Sequence, residues 1–326
     1  MSRLDIADSI QTEVIYHESH AVWGGGLSSL DYRALWEEIS STTWARKHLR
    51  FFVWLGERGE VLSSLKLYRP LVRTGDSTTR TSIIGAVFTP RRHRRQGHAA
   101  ALVRAVLARS RKRGDRLSLL FSDIGTAYYG RLGFHPLPAE EQWGSLPRPP
   151  AAVDRVWHLR IAGADDLVSM QRAHEASSRP RSIAVVRDTE HWRFLGLRSQ
   201  RFFERLNERG IRQRVWVASR DDAFAGYLIS VEGRGEWSVR EVATVGGDPR
   251  TMATIIRLCA AEAYRSRLRR FYAWFPSEVA VLLADWRIRS GPRRRAIPMI
   301  RPLSGSIELE GLDSVAATYI PYQDQF

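Results

Sequence analysis

Apolar and polar positions follow two different periods along the first half of the chain. Strand-like runs predict strands at 49–55 (LRFFVWL), 60–68 (EVLSSLKLY), 81–89 (TSIIGAVFT) and 117–121 (LSLLF). Helical spacing predicts helices at 27–40, from Gly97 to Arg113, and in a short segment from Ala127 to Leu132. This order of helix, hairpin, strand, helix, strand and helix predicts a mixed sheet covered by helices, which is an α/β fold.

The second half repeats this layout in a weaker form. Helices are predicted at 164–177 and 248–266, and strands at 214–219, 225–233, 237–245 and 269–275. Between the halves, the prolines of SLPRPPAAVD disfavour a helix and predict an extended connector. We therefore expect a tandem duplication, with a first domain at 1–144, a linker at 145–155 and a second domain at 156–326.

The composition fits a globular protein. Hydrophobic residues make up 44% of the 326 residues, which is enough apolar material for two packed cores. The single cysteine, Cys259, excludes an intramolecular disulfide and a cysteine-based zinc cage, and its helical stripe of apolar neighbours predicts a packing role. No segment approaches the roughly 20 apolar residues that cross a bilayer. We expect a soluble, cytoplasmic protein with no membrane partner.

The formal net charge of +15 comes almost entirely from arginine, because lysine occurs only at Lys47, Lys66 and Lys112. The arginines are spread over both halves, which indicates a solvated basic surface. A nucleic-acid module would need a recognition helix or stacking aromatics among its basic residues, and neither is evident. A nucleic-acid partner is therefore not expected.

A cluster of cations lies where the strand at 81–89 passes into the helix that follows it. The first turn of a helix leaves backbone N–H groups without intrahelical acceptors, and they favour an anion. Gly97 lets a ligand approach closely, and the arginines can donate to phosphate oxygens; they are Arg91, Arg92, Arg94 and Arg95. The alternative is a helix entry with solvated arginines. No G-x-x-x-x-G-K-[ST], G-x-G-x-x-G, G-x-S-x-G or H-E-x-x-H motif occurs.

Two linked motifs resemble the GNAT N-acetyltransferases. The segment Arg94, Arg95, Gln96, Gly97, His98, Ala99 matches the family's [RQ]-x-x-G-x-[GA] after a strand, and Tyr129 to Phe134 (YGRLGF) matches its Y-x-x-x-G-F. The resemblance covers residues 30–138. It looks most like fungal-type lysine N6-acetyltransferases and their bacterial relatives, and less like the enhanced-intracellular-survival acetyltransferases. Those tandem-GNAT enzymes are longer than this chain.

This resemblance implies an acetyl-CoA-dependent N-acetyltransferase with the GNAT fold, an N-terminal catalytic domain and a degenerate C-terminal GNAT-like domain. Residues implied to bind the coenzyme are Val87, Phe88 and Thr89 along the pantetheine arm, and Arg94, Arg95, Gln96, Gly97, His98, Ala99 and Ala100 at the pyrophosphate. Ser122 and Asp123 end the facing strand. The family often has Asn there, so the role of Asp123 stays open.

Tyr129 is implied to be the general acid that protonates the departing thiolate, since a phenol with a pKa of about 10 is protonated at neutral pH. The acceptor is implied to be a primary amine of a small molecule or a protein, which must lose a proton before it attacks. The motifs do not indicate the base. No metal is expected. The alternative is a non-catalytic GNAT-like protein that binds coenzyme A or nucleic acid.

The corresponding turn of the second half, TVGGDPRTMA, lacks the coenzyme motif. Asp248 and Pro249 form a helix-cap pair whose carboxylate would repel a phosphate, so we expect one coenzyme site per chain. Trp237, Trp274 and Glu241 are candidates for the wall of the acceptor pocket. The carboxylate of Phe326 is a candidate base. The histidines His93, His98 and His135 fit no metal site, and we expect them to be solvated.

Overall fold

A computed structural model describes residues 2–149, 156–304, 312–316 and 318–324. The helices in these residues are α1 (Ser9–Trp23), α2 (Ser29–Ser40), α3 (Thr43–His48), α4 (His98–Lys112), α5 (Ala127–Gly130), α6 (Leu167–Ser178), α7 (Thr189–Leu206), α8 (Pro249–Arg265) and α9 (Ser277–Leu282). Short 3₁₀ turns lie at Arg91–His93, Ala164–Asp166, Asn207–Arg209, Ala284–Trp286 and Tyr322–Asp324.

The strands build two mixed sheets. They are β1 (Arg3–Ile6), β2 (Leu49–Leu55), β3 (Val61–Tyr68), β4 (Leu71–Thr74), β5 (Ser77–Phe88), β6 (Leu117–Ser122), β7 (His135–Pro136), β8 (Glu140–Ser145), β9 (Trp157–Ile161), β10 (Ile183–Val186), β11 (Arg212–Arg220), β12 (Ala223–Gly233), β13 (Glu236–Thr244), β14 (Arg270–Ala273), β15 (Arg289–Pro292) and β16 (Ile297–Pro302).

The first sheet has the order β1-β2-β3-β5-β6-β16-β7, and β4 joins β10 to β5 at its side. Its neighbours are antiparallel except for β5 and β6, which are parallel and are connected through α4. The second sheet has the order β15-β8-β14-β13-β12-β11-β9, and its parallel pair is β13 and β14, connected through α8. Each half therefore has three antiparallel strands, a helix and a parallel strand in the same sequence, as the repeat in the hydrophobic pattern predicted.

Three strands cross the boundary that we placed between the halves, and one of them is β10, which comes from the second half and pairs with β4 beside the first sheet. Strand β8 precedes the connector but pairs with β14 and β15 in the second sheet. Strand β16 comes from the second half but pairs with β6 and β7 in the first sheet. Each sheet is thus completed by a strand from the other half. Residues 150–155 of the predicted linker lie outside the described residues.

The cores follow this exchange. One cluster packs α4 against the first sheet, around Leu102, Val103 and Phe134. Another packs α8 against the second sheet and contains Cys259, which is fully buried as its stripe predicted. A third joins both halves, because Tyr32 of α2 and Phe194 of α7 belong to the same buried cluster. The interface between the halves is therefore continuous hydrophobic core.

The sequence analysis did not predict two of the long helices, α1 and α7. Helix α1 begins at a capping box in which Asp8 and Gln11 bond each other's backbone N–H groups, but it buries only Ile15, Tyr16 and Ser19. The apolar stripe of α1 is thus too narrow to be recognised as a helical pattern in the sequence. Helix α7 carries arginines among its aromatic positions, and its buried face became apparent only through its contacts with α2, α3 and β11. No helix in the described ranges combines the length and apolar character needed for a membrane span.

A cluster of buried charges holds the C-terminal segment (residues 318–324) against the second half. The fully buried Arg187 guanidinium donates two hydrogen bonds of 2.9 Å to Glu241 and bonds of 2.8 and 2.9 Å to Asp324. Tyr227 donates its hydroxyl to Glu241, and His174 Nδ1 lies 3.2 Å from the same carboxylate. Two carboxylates on one guanidinium make Arg187 indispensable to this arrangement.

The electrostatic balance at Glu241 follows from its partners. Burial raises the pKa of Glu241, but Arg187 and the His174 hydrogen bond outweigh burial and hold that pKa well below its ordinary value of 4.5. A lowered pKa means that the ion pair contributes its full stability above about pH 4.5 and loses it as the pH falls toward the folded-state pKa.

We predict that Arg187→Met lowers the free energy of unfolding by about 3–5 kcal/mol, because two buried carboxylates lose their partner. Urea denaturation measures the change. The control is Arg193→Met, whose exposed pair with Glu190 is expected to contribute less than about 1 kcal/mol. Equal midpoints for the two variants would contradict the importance of the buried cluster.

Candidate functional site

The site begins where β5 and β6 stop pairing. Their parallel ladder runs from Thr81–Leu117 to Ile84–Leu120 and ends there, although β5 continues to Phe88. On its other edge, β6 stays paired with β16 along its whole length. The separation after Ile84 is therefore a departure of β5 from β6. The sheet therefore opens on one side of β5 after Ile84.

A bulge in β5 accompanies this opening. Opposite β5, Lys66 of β3 pairs with Gly85 and Ser64 pairs with Phe88, so β5 has one residue more than β3 in this interval. Ala86 takes up the extra length with φ of 48°, a value that a side-chain-bearing residue rarely adopts. The bulge turns the end of β5 toward the basic turn (residues 90–97).

The basic turn presents the N-terminus of α4 without a protein cap. Gly97 is the N-cap residue with φ of 81° and ψ of −1°, and no side chain of the described residues caps the first turn of the helix. A Cβ added at Gly97 meets no atom within 4 Å, so the space in front of the helix is open. The helix N-terminus therefore offers its N–H groups and positive dipole end to an external anion.

Some side chains of the basic turn form hydrogen bonds within the turn, whereas others extend into solvent. Arg94 Nε donates to Thr89 O at 3.0 Å, Gln96 Nε2 donates to Arg92 O at 3.2 Å, and His98 Nε2 lies 3.1 Å from Gln96 Oε1. These bonds close the turn on itself. Arg95 is exposed and has a φ of 63°, so its guanidinium extends from the turn into solvent.

Contacts that sequence reasoning did not predict hold the turn and the end of β5. Ser63 Oγ donates to Phe88 O at 2.7 Å and lies 3.0 Å from Thr89 Oγ1. Glu18 of α1 pairs with Arg92 at 2.7 Å, and Trp23 meets Phe88 edge to face at 5.8 Å between ring centroids. No motif marks these residues, since they belong to elements distant in sequence.

Val87 and Thr89 are half-buried, whereas the Phe88 side chain is buried. Val87 packs toward the α4 core cluster, while Phe88 packs on Trp23. Alternate residues of this edge thus face opposite sides of the sheet. Ala99 and Ala100 are half-buried in the first turn of α4, where their small side chains leave the N-terminus accessible.

The end of β6 is tied to the second half. Ser122 is buried, and its hydroxyl donates to Gly125 O at 2.6 Å. Asp123 Oδ1 accepts from Ala296 N at 2.9 Å, immediately before β16. Asp123 therefore anchors the strand that the second half contributes to the first sheet, a role that the sequence left open.

Tyr129 lies in α5 and is only 9% exposed. It packs with Phe134 at 6.1 Å between ring centroids, and the Phe134 N–H donates to Tyr129 O at 3.1 Å. Its hydroxyl has no hydrogen bond to the residues described here. Burial, with smaller contributions from Tyr128 and Asp123, raises the pKa of Tyr129 well above 10. The phenol is protonated throughout the neutral range.

The second half has the same opening, but its own chain fills it. Pairing of β13 with β14 ends at Val239–Ala273, and Arg240 is the extra residue of a bulge against β12. Beyond that point Tyr322 lies under the Arg240 guanidinium at 4.0 Å, and Tyr319 packs on Trp274 at 6.0 Å. The C-terminal segment occupies the gap.

The helix that follows this second opening is also closed to an anion. The Asp248 carboxylate accepts from the N–H groups of Thr251 at 2.8 Å and Arg250 at 3.3 Å. The carboxylate thus occupies the N-terminus of α8, as the Asp-Pro pair predicted.

Three residues that we considered for the acceptor pocket lie in the interior instead. Trp237 and Trp274 belong to buried clusters, and Glu241 belongs to the Arg187 charge cluster. The expectation that they line an open pocket is therefore wrong, because the second half uses them for packing and for binding its own C-terminal segment. Phe326 lies outside the described residues.

Within the described ranges, no three His, Cys, Asp or Glu side chains are grouped to hold a metal ion. His98 and His93 contact each other edge to face at 6.2 Å in the basic turn, and both are half-buried rather than fully solvated, while His135 is exposed. A cavity of about 950 Å³ lies in the second half, between α7 and β11. It is lined only by residues of that half and does not reach the opening between β5 and β6.

We compared the chain with known protein families and solved structures. Residues 19–137 match the profile of the family described as "Acetyltransferase (GNAT) domain". No curated protein matches the chain. Similar solved structures include a conserved protein of Enterococcus faecalis V583 described as a probable N-acyltransferase, with a TM-score of 0.69 and 13% identity over 93% of this chain and 73% of that one.

Two further solved structures also align over most of this chain. Eis1 from Mycobacterium abscessus aligns with a TM-score of 0.62 and 15% identity over 93% of this chain and 74% of its own. A tandem GNAT protein from the clavulanic acid biosynthesis pathway aligns with a TM-score of 0.54 and 15% identity over 94% of this chain and 100% of its own. The predicted GNAT fold is confirmed, and the chain contains a GNAT acetyltransferase domain, so it is an acyltransferase.

We predict that Gly97→Ala weakens coenzyme A binding at least tenfold, because a methyl group would stand in front of the α4 N–H groups. Gly59→Ala is a matched control, since Gly59 has the same φ of 81° and equally open surroundings but lies in the β2–β3 turn. Both changes should lower the free energy of unfolding by about 1–2 kcal/mol through strain in the left-handed region. Calorimetric titration with coenzyme A that gave equal affinities for the two variants would contradict an anion site at Gly97.

Proposed function

We propose that the protein is an acetyl-CoA-dependent N-acetyltransferase that transfers the acetyl group to a primary amine by direct attack in a ternary complex. The observation that carries the proposal is the uncapped N-terminus of α4 at the end of the opening between β5 and β6. Both the dipole of α4 and the arginines favour a diphosphate at this position. The adjoining gap is bordered by strand backbone that β6 leaves unpaired.

In this proposal Val87, Phe88 and Thr89 line the pantetheine arm, and residues 94–100 hold the pyrophosphate. Arg95 supplies a cation that no intramolecular brace occupies, and Arg94 keeps the turn closed around the ligand. Ser122, which is buried, and Asp123, which is exposed, shape the end of the facing strand. A backbone N–H near Phe88 polarises the thioester carbonyl.

Tyr129 serves as the general acid in this proposal. Its raised pKa keeps the proton available at neutral pH but makes full loss of that proton costly, since the phenolate would be buried. The phenol therefore acts mainly by donating a hydrogen bond to the sulfur as the carbon–sulfur bond breaks. The thiolate must then be protonated and the phenol restored within the same step.

The acceptor is a lysine-like amine of a small molecule or of a protein. The resemblance of residues 30–138 to fungal-type lysine N6-acetyltransferases supports a lysine-like acceptor. A free-thiol release assay with acetyl-CoA and a panel of amines, from L-lysine to polyamines and aminoglycosides, tests the transfer. Absence of thiol release with every amine, together with tight coenzyme binding, would favour the alternative of a non-catalytic coenzyme-binding protein.

We predict that Tyr129→Phe lowers kcat about 10²-fold while leaving the affinity for acetyl-CoA unchanged, because the phenol acts on the departing sulfur and not on the diphosphate. Steady-state kinetics and calorimetric titration separate the two effects. Tyr128→Phe, a change at the neighbouring half-buried tyrosine, is the control. An unaltered kcat in Tyr129→Phe would remove the assignment.

One coenzyme molecule should bind per chain. Asp248 and the C-terminal segment block both parts of the equivalent site in the second half, whereas the described residues provide neither block in the first half. Calorimetric titration with acetyl-CoA should give a stoichiometry of one in the wild type and in Asp248→Ala, since the segment still fills the gap in that variant. Two molecules bound per wild-type chain would refute the blocked second site.

A further inference from the structure

Lys66, in the middle of β3, is buried without an ionic partner. It is 3% exposed, and no carboxylate of the described residues forms an ion pair with it. The charged group that acts on it is another cation, the half-buried Arg198 of α7. A lysine with no counter-ion, close to a second cation, is an expensive arrangement for the charged form.

Three aromatic rings surround the amino group. Nζ lies 2.7 Å from the ring centroid of Trp36, 5.3 Å from that of Phe51 and 5.9 Å from that of Tyr32. We call these three residues the aromatic box. Ring faces attract an ammonium electrostatically. The box therefore gives the protonated amine partial stabilisation at a place where desolvation and Arg198 oppose the charge, so both protonation states are accessible.

The position of Lys66 relates it to the opening between β5 and β6. It pairs with Gly85, the residue just before the bulge at Ala86. Its neighbours Leu65 and Leu67 pack into the core cluster under α4. Because successive side chains of a strand point to opposite faces, Lys66 projects from the other face, toward α2. The amine thus lies beside the point where β5 leaves the sheet.

We propose that Lys66 is the general base that removes the proton from the acceptor amine, and that the aromatic box holds the proton as an ammonium until it passes to water. This inference rests on the proposed acetyl transfer. It supplies the one group that the sequence motifs leave unassigned. The sequence shows no sign of it, since Lys66 sits within an ordinary strand pattern.

Two side chains, Lys66 and Tyr129, exchange protons with the reactants in the proposed transfer. The acceptor ammonium gives one proton to the neutral Nζ of Lys66, and its freed lone pair forms a bond to the thioester carbon. The carbon–sulfur bond breaks as the departing sulfur takes the Tyr129 proton, and in the same step the amide nitrogen gives its second proton to the Tyr129 oxygen. Lys66 releases its proton to water, so the net products are the amide, the free thiol and one proton.

The protonation state of Lys66 in the free enzyme agrees with this role. Burial, and secondly Arg198, lowers the pKa of Lys66 well below the usual value for lysine. The tyrosines of the core cluster that contains Tyr32 are Tyr16, Tyr32, Tyr68 and Tyr319, and burial raises the pKa of each phenol. They stay neutral below pH 10. An alkyl amine acceptor with a pKa of about 10.4 arrives protonated and needs a base.

The kinetic test compares Lys66→Met with Lys112→Met, a change at an exposed lysine on α4 far from its N-terminus. With L-lysine and acetyl-CoA, Lys66→Met should lower kcat/KM at pH 7 by about 10²–10⁴-fold. The loss should shrink about tenfold per pH unit as the pH rises toward the pKa of the amine. Lys112→Met should match the wild type. A kcat/KM equal to the wild type, or a loss that does not change with pH, would overturn the inference.

A second measurement does not depend on catalysis. In protein labelled with ¹³C- and ¹⁵N-lysine, only three side chains contribute signals, and Lys66→Met identifies that of Lys66. A neutral Lys66 at pH 7 supports the inference, and titration at the ordinary lysine pKa of about 10.4 overturns it. So does acetylation of Lys66 found by mass spectrometry after incubation with acetyl-CoA, because an amide nitrogen cannot act as the base. Absence of transfer by the wild type would instead defeat the proposed function.

Discussion

The structure depends on the parting of two parallel strands. Four residue pairs hold β5 to β6, and the extra residue at Ala86 then turns β5 away. A bulge of this kind leaves backbone groups on both strands without partners, which a sheet normally avoids because unpaired buried amides are costly. The opening is tolerated because Ser63 and Trp23 support the end of β5, and because Asp123 and β16 hold β6 in place.

Both halves of the duplication contain this opening between parallel strands, but the two openings differ in what occupies them. Among the described residues, none caps the helix N-terminus or fills the gap of the first half, whereas in the second half Asp248 caps the helix and the C-terminal segment enters the gap. Arg187 secures that segment through two buried carboxylates. A buried ion pair of this type contributes little net stability compared with apolar packing, but it fixes which groups come together. The second half has thus become a support for the first, to which it also contributes β16.

The charge of the molecule matters locally rather than overall. A formal charge of +15 spread over the surface does not define a partner. Two cations that form no ion pair within the described chain differ in their surroundings: Arg95 at the basic turn is exposed to solvent, and Lys66 beneath the aromatic box is buried. The exposed cation suits binding of an anion. The buried one suits proton exchange, because desolvation brings its two protonation states closer in free energy.

The sequence by itself determined the local features of the protein. The strand runs, the α4 stripe, the Gly97 turn, the Asp248 cap and the packing of Cys259 all follow from short-range periodicity and from backbone requirements that act within a few residues. These features sufficed to predict the mixed sheet, the tandem repeat and the position of the candidate anion site.

Only the tertiary structure decided the contacts between distant segments. The exchange of β8 and β16, the filling of the second gap, the burial of Trp237, Trp274 and Glu241, and the setting of Lys66 each join residues far apart in the chain. Helices α1 and α7 belong to the same class, since their buried faces are defined by partners on other elements. The identity of a hydrophobic or charged residue does not indicate which distant residue it will contact. Its role is therefore known only from the folded structure.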